Sequence, residues 1–229
     1  WFSESHRRAH GIYLTPKKVA EALAAAVGRT DGPVVDPAAG DGRLLEAVIR
    51  RRPEVGVVAV EREPLLALAA AVRIVAARAE IESSGRGTKP ASDAGGPSDT
   101  VVCGDGLDLH PDWFQRQGPP AAVVMNPPYV GEKGNRALFH RIAERHPDLA
   151  DRMGPRGDLA YLFLQRSLDW LPPGGTLAAL TSAYWLTATG AARLREELRD
   201  RACPQLFLRA PTRRFFDDAP GHHSLVSIF

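Results

Sequence analysis

Apolar residues in this 229-residue chain fall into short dense runs that alternate with longer Ala- and Leu-rich stretches. The runs Val34-Val35, Val55 to Val60, Val101 to Cys103, Ala121 to Met125 and Thr176 to Thr181 are brief and nearly continuous in apolar character. That pattern predicts strands buried on both faces of a parallel sheet. Lys17 to Val27, Leu44 to Arg51, Pro64 to Ile81, Leu159 to Leu171 and Ala191 to Arg201 read as helices. Thr15 is the expected cap of the first, with Pro16 at its first helical position. Gln205 to Arg209 and Ser224 to Phe229 complete the strands. Residues 82 to 100 are rich in Ser, Gly, Pro and charge without periodicity, and are expected to form a flexible surface insertion. Residues 130 to 157 are polar and glycine-rich, and read as a mobile loop with some helix.

Strands alternating with helices predict an α/β fold, a mostly parallel seven-stranded sheet with helices on both faces. Such sheets bind ligands beyond the carboxyl ends of their strands, where strand order reverses. Three segments that follow strands therefore stand out. Asp36-Pro37-Ala38-Ala39-Gly40-Asp41-Gly42 follows the first; Gly40 and Gly42 allow a tight turn and close approach to a ligand. Glu61 ends the second strand, where an acid can accept both hydroxyls of a ribose. Asp105, followed by Gly106, comes after the third and could accept from an adenine amino group. The dinucleotide fingerprint Gly-x-Gly-x-x-Gly fails at Leu45, so a nucleoside without a pyrophosphate fits better. A positively charged sulfonium also suits a pocket lined by carboxylates, which points to S-adenosylmethionine.

Asn126-Pro127-Pro128-Tyr129 follows the fourth strand and is the most specific feature. Two prolines stiffen the turn. They are expected to hold the Asn126 side-chain oxygen and the Pro127 carbonyl toward one point. Two converging acceptors suit a planar NH₂ group with its two donors. Tyr129 offers an aromatic face for stacking.

A hydrophobic share of 44% and a charged share of 24% are ordinary for a soluble protein. No apolar run approaches the roughly 18 residues of a membrane span, so no membrane association is expected; two isolated thiols suit a reducing cytosol, and a cytoplasmic location is expected. The chain begins at Trp1 and reads as a piece cut from a longer polypeptide. Cys103 and Cys203 lack zinc or redox spacing; no metal is expected, and both thiols are read as small buried apolar residues. The net charge of +2 argues for no partner by itself. Seven arginines at 193, 195, 199, 201, 209, 213 and 214, with Arg7, Arg8, Lys17 and Lys18, are either a solvated helix face or a phosphate-facing surface.

Taken in order, these motifs resemble the γ-class adenine-N6 DNA methyltransferases of restriction-modification and phage-defence systems. Gly11-Ile12-Tyr13-Leu14-Thr15-Pro16 resembles that class's Gly-x-Tyr-Tyr-Thr-Pro element, and the Asp36 to Gly42 loop resembles Asp-Pro-Ala-Cys-Gly-Ser-Gly. Asp158-Leu159-Ala160-Tyr161 and His223-Ser224-Leu225-Val226 match later segments. The resemblance implies a Rossmann-like methyltransferase fold forming one catalytic domain over residues 1–229. It implies S-adenosylmethionine contacts from Tyr13, Thr15, Asp36, Pro37, Ala38, Gly40, Glu61, Asp105, Gly106 and Asn126. Asn126, Pro127, Pro128 and Tyr129 would be catalytic, with Tyr129 and Phe216 against a flipped base. Ala39 and Asp41 depart from the usual Cys and Ser, and Asp41 is expected only to add negative charge near the cofactor. The class carries a target-recognition domain after the final strand, and none is present here, so specificity should be reduced. Double-stranded DNA and a nuclease or specificity domain or subunit are the implied partners. Enzymes that methylate a glutamine side chain or guanine N2 of ribosomal RNA share the Asn-Pro-Pro-Tyr chemistry and stay open as alternatives, as does a non-catalytic cofactor-binding module. The Thr15-Pro16 element favours the DNA class.

Overall fold

The computed structural model describes residues 13–28, 31–85, 99–114, 118–211 and 223–229. Its strands are β1 (Val34–Asp36), β2 (Val57–Glu61), β3 (Thr100–Cys103), β4 (Ala122–Met125), β5 (Thr176–Ser182), β6 (Leu206–Pro211) and β7 (His223–Ile228). They form one seven-stranded sheet in the order β3-β2-β1-β4-β5-β7-β6. Pairing is parallel from β3 through to β5, and β7 is antiparallel to both its neighbours. The mostly parallel sheet expected from the pattern is therefore present.

The helices are α1 (Lys17–Ala25), α2 (Arg43–Arg51), α3 (Pro64–Ser83), α4 (Arg136–Arg145), α5 (Pro147–Ala150), α6 (Leu159–Trp170) and α7 (Ala192–Arg201). Successive strand residues alternate between two separate cores, as a pleat of period two requires. Val34, Val57, Ala59, Ala122 and Val124 pack with α1, α2 and α3. Val35, Val58, Val60, Val123 and Met125 pack with α4, α6 and α7 on the other face. The chain moves outward from β1 to β3, then returns to the far side of β1 for β4 and β5. Right-handed crossovers in opposite directions put the two helix groups on opposite faces.

Several local expectations change. Pro16, not Thr15, is the residue that starts α1: its ψ of 143° is extended, and its carbonyl accepts the Val19 and Ala20 N–H groups. A proline at the first helical position would need helical ψ, so Thr15 lies one step too early to cap. The expected insertion at 82–100 is shorter at both ends. Helix α3 runs on to Ser83, and Asp99 is held by Arg78 at 2.7 and 2.8 Å while accepting the Val57 N–H at 3.1 Å. Residues 86–98 lie outside the described residues.

The segment 130–157 is ordered, not a loose loop. It carries α4 and α5, whose Phe139, Ile142 and Leu149 are buried. Its ends are tied together where Leu159 N–H donates to Val130 and Glu132 N–H to Gly157, both at 2.9 Å. Both cysteines are exposed, contrary to the buried reading. Cys103 closes the edge strand β3, and Cys203 follows the end of α7. Much of the arginine cluster is structural. Arg195 donates to the Trp185 and Ala188 carbonyls, and Arg201 to Asp169 and the Leu168 carbonyl. Arg213 and Arg214 lie outside the described residues, as do Arg7 and Arg8. No helix among the described residues is long and apolar enough to cross a membrane.

Candidate active site

Strand order reverses between β1 and β4, and the carboxyl ends of these two strands deliver Asp36 and Asn126 to one edge of the sheet. A cleft of roughly 630 Å³, counting its open mouth, lies there. Of the residues singled out from sequence, Tyr13, Pro37, Ala38, Gly40, Glu61, Asp105, Gly106, Asn126 and Pro128 line it. Thr15, Asp36, Pro127 and Tyr129 do not form its wall. Phe216 lies outside the described residues.

Backbone geometry explains the glycines. Gly40 and Gly42 have φ of 56° and 79°, the left-handed region open to glycine at little cost. A Cβ on Gly42 would also stand 2.7 Å from the Ala70 Cα, so glycine lets α3 pack on the loop. A Cβ on Gly106 would stand 2.0 Å from the Pro37 carbonyl oxygen and 2.9 Å from the Phe163 ring. Any side chain there would push into the loop that follows β1.

Glu61 organises that loop. Its Oε2 accepts the Gly40 N–H and its Oε1 accepts the Glu63 N–H, both at 2.8 Å. Each carboxylate oxygen keeps a second lone pair for a ligand hydroxyl. Asp105 caps the turn Gly106–Asp108 by accepting the Leu107 N–H at 3.0 Å. Asp36 works differently from Glu61. It is only 2% exposed and accepts the Ala38 N–H at 3.1 Å from beneath the loop. Burial pushes its carboxyl up to about 8; the Ala38 hydrogen bond opposes this and the Glu61 charge adds to it. Asp41 does not add bare charge to the cleft, because Arg43 and Arg73 pair with it at 3.3 and 2.9 Å.

A consequence for stability follows from Asp36. Between about pH 4 and pH 8 the folded state keeps a proton that the unfolded chain has lost, so rising pH favours unfolding across that window. The stability linked to this group is whole below the lower value and is lost as pH climbs toward the upper one. Asp36→Asn keeps the acceptor oxygen and removes the ionisation. The Tm of the variant relative to the wild type should rise between pH 5 and pH 8. An equal gap at both pH values would show that Asp36 is already ionised in the fold.

Asn126 is 9% exposed at the end of β4. Its Nδ2 donates to the Tyr13 carbonyl at 2.7 Å, and its Oδ1 accepts from the Tyr129 hydroxyl at 2.7 Å. The two contacts fix which end of the amide is the acceptor. The Tyr129 ring packs edge-on against Tyr13, with centroids 5.9 Å apart. Burial, then the nearby Asp158 charge, raise the Tyr129 phenol's pKa, so it remains protonated. The apolar wall of the cleft comes from Leu14, Leu66, Leu159 and Phe163. Leu14 and Leu159 lie inside motifs matched in the sequence, whereas Leu66 and Phe163 reach the cleft from helices where no motif marks them.

The residues fit S-adenosylmethionine. Two acids at and just after the ends of β2 and β3 supply acceptors for hydroxyl and amino groups, the left-handed Gly40 keeps its stretch of the wall free of a side chain, and Leu66 and Phe163 offer an apolar surface. Among the described residues no cluster of His, Cys, Asp or Glu could hold a metal ion.

A search of curated proteins found no match. The chain covers 97% of its own length against the type IIG restriction endonuclease BpuSI, with a TM-score of 0.70 and 21% identity, but only 26% of that chain. A class I S-adenosylmethionine-dependent methyltransferase structure from Listeria monocytogenes aligns over 96% of this chain and 62% of its own, with a TM-score of 0.63 and 18% identity. The M protein of the type I restriction enzyme EcoKI aligns over 95% of this chain and 44% of its own, with a TM-score of 0.61 and 16% identity. At these identities the likeness shows the fold. The family model of the Eco57I restriction-modification methylases matches residues 111–207, which contain β4, Asn126 to Tyr129, α6 and α7. The segment that carries Asn126 thus matches the Eco57I restriction-modification methylase family, and the sheet around it shares the fold of the class I methyltransferase structure from Listeria monocytogenes.

Proposed function

We propose that this domain transfers a methyl group from S-adenosylmethionine to the N6 amino group of adenine in double-stranded DNA, as part of a restriction-modification or phage-defence system acting in the cytoplasm. The observation that carries the reading is the Asn126 amide, locked by the Tyr13 carbonyl with its oxygen presented as an acceptor beside a carboxylate-lined cleft. The match to restriction-modification methylases over residues 111–207 supports DNA as the substrate and a nuclease or specificity partner.

When bound, S-adenosylmethionine would supply an electrophilic methyl group on a cationic sulfur. Glu61 would hold the ribose hydroxyls and Asp105 the adenine amino group of that molecule, with Tyr13, Thr15 and the Pro37 to Gly40 loop toward its remaining parts. The target amino nitrogen is a poor nucleophile, because its lone pair is delocalised into the ring. Asn126 Oδ1 and the Pro127 carbonyl would accept its two N–H bonds, draw it toward tetrahedral geometry and localise the lone pair. The new N–C bond would form as the sulfonium C–S bond breaks, leaving S-adenosylhomocysteine as a neutral thioether, and the nitrogen would lose one proton to solvent. Positioning and preorganised electrostatics supply most of the rate. The target base must leave the duplex to reach this depth. Tyr129 and Phe216 would stack on it, at about 1–3 kcal/mol per base.

The test uses the full-length protein with isotopically labelled S-adenosylmethionine and unmethylated DNA. Nucleoside analysis is expected to find labelled N6-methyldeoxyadenosine. Label only in a protein glutamine or in guanine would replace the adenine reading, and no label in any acceptor would leave a cofactor-binding module.

A further inference from the structure

The hydrogen bond that satisfies Asn126 Oδ1 also occupies it. The Tyr129 hydroxyl donates to Oδ1 at 2.7 Å, and the Leu180 carbonyl oxygen of β5 stands 3.0 Å from the same hydroxyl. A phenol has one proton, so it serves these acceptors in alternation. The proton is never shed at working pH, since burial disfavours the phenolate. The hydroxyl therefore sits where one N–H of a substrate amine has to donate.

We propose that the Tyr129 hydroxyl is a built-in stand-in for the target amino group: it caps Asn126 Oδ1 in the resting domain and yields that acceptor, turning its proton to the Leu180 carbonyl, before an amine docks. The proposal rests on the reading of Asn126 as the amine acceptor. Three features of the site fit it. A buried amide oxygen without a donor is unfavourable, and the hydroxyl removes that penalty while no substrate is present. The alternative acceptor is already within reach, so releasing Asn126 does not orphan the phenol. The ring is wedged edge-on against Tyr13, whose carbonyl takes the other end of the same amide, so movement of the hydroxyl is coupled to both ends of the Asn126 side chain.

Tyr129 thus acts on substrate entry as a positioning residue, apart from any stacking by its ring. Every docking event competes with an internal donor, which raises KM for DNA without assisting the chemical step. Tyr129→Phe keeps the ring and deletes the competitor. In the full-length protein, followed as N6-methyldeoxyadenosine formation, KM for DNA should fall about three- to tenfold, by a larger factor than any change in kcat; by the usual conversion this is about 0.7–1.4 kcal/mol. Incorporation of 3-fluorotyrosine at position 129 acidifies the phenol, strengthens its donation to Asn126 and preserves the fold. It should raise KM in the opposite direction, and it serves alone if the Phe variant does not fold. A KM that rises or stays constant in the Phe variant, or fails to rise with fluorotyrosine, overturns the proposal while leaving the site assignment standing. Absence of methyl transfer to any amino acceptor in the wild-type reaction instead removes the site assignment and this proposal with it.

Discussion

Asn126→Ala is expected to lower methyl transfer by the full-length protein about 100-fold or more. Loss of one preorganised polar partner in a catalytic site costs at least ~2.7 kcal/mol of transition-state stabilisation, and each ~1.36 kcal/mol is tenfold in rate. The structure adds a second effect that the motif alone does not contain. Asn126 Nδ2 donates to the Tyr13 carbonyl, and Tyr13 lines the cleft. Removing the amide releases that segment, so S-adenosylmethionine affinity should also fall, by about two- to tenfold for one net hydrogen bond of ~0.5–1.5 kcal/mol. Single-turnover kinetics measures the first effect and calorimetry the second. Near-normal turnover would remove Asn126 from the catalytic set. A large rate loss with unchanged affinity would show that Tyr13 is held without it.

Glu61→Ala should weaken S-adenosylmethionine binding at least tenfold. The carboxylate accepts from Gly40 and Glu63 on its two separate oxygens, and hydrogen bonds to charged groups are worth about 1.5–3 kcal/mol each. Without it the glycine loop loses its tie to the end of β2, in addition to any ribose contact. Glu61→Gln sharpens the test. An amide has one acceptor atom, so its NH₂ must face either the Gly40 or the Glu63 N–H, donor against donor. The Gln variant should therefore bind much more like Ala than like the wild type. Gln binding at wild-type strength would reduce Glu61 to a neutral acceptor of little weight, and unchanged binding in both variants would take it out of the site.

The Asp36 and Glu61 pair shows how far sequence reaches. Both are acids at the ends of neighbouring strands, and both read as cofactor contacts. Only Glu61 lies on the cleft wall, while Asp36 is sealed beneath the loop and holds the Ala38 N–H. Side-chain type and strand position are identical in kind for the two. What separates them is the path of the glycine loop across the sheet edge, a property of the folded chain.

The alternation of apolar runs and helical stretches determined the parallel sheet, because strand and helix periodicities operate over a few residues. The order of motifs after β1, β2, β3 and β4 likewise placed Gly40, Glu61, Asp105 and Asn126 at one edge, since right-handed crossovers leave few other topologies. Tertiary structure alone decided the rest. Leu66 and Phe163 enter the cleft from helices whose sequence shows only burial. The ordering of 130–157 depends on hydrogen bonds that close only when Val130 meets Leu159. The exposure of Cys103 follows from β3 being an edge strand, which strand order determines and composition does not. The orientation of the Asn126 amide rests on a carbonyl 113 residues earlier in the chain. Local propensity acts between neighbours in sequence, whereas these contacts exist only once the sheet has brought distant segments together.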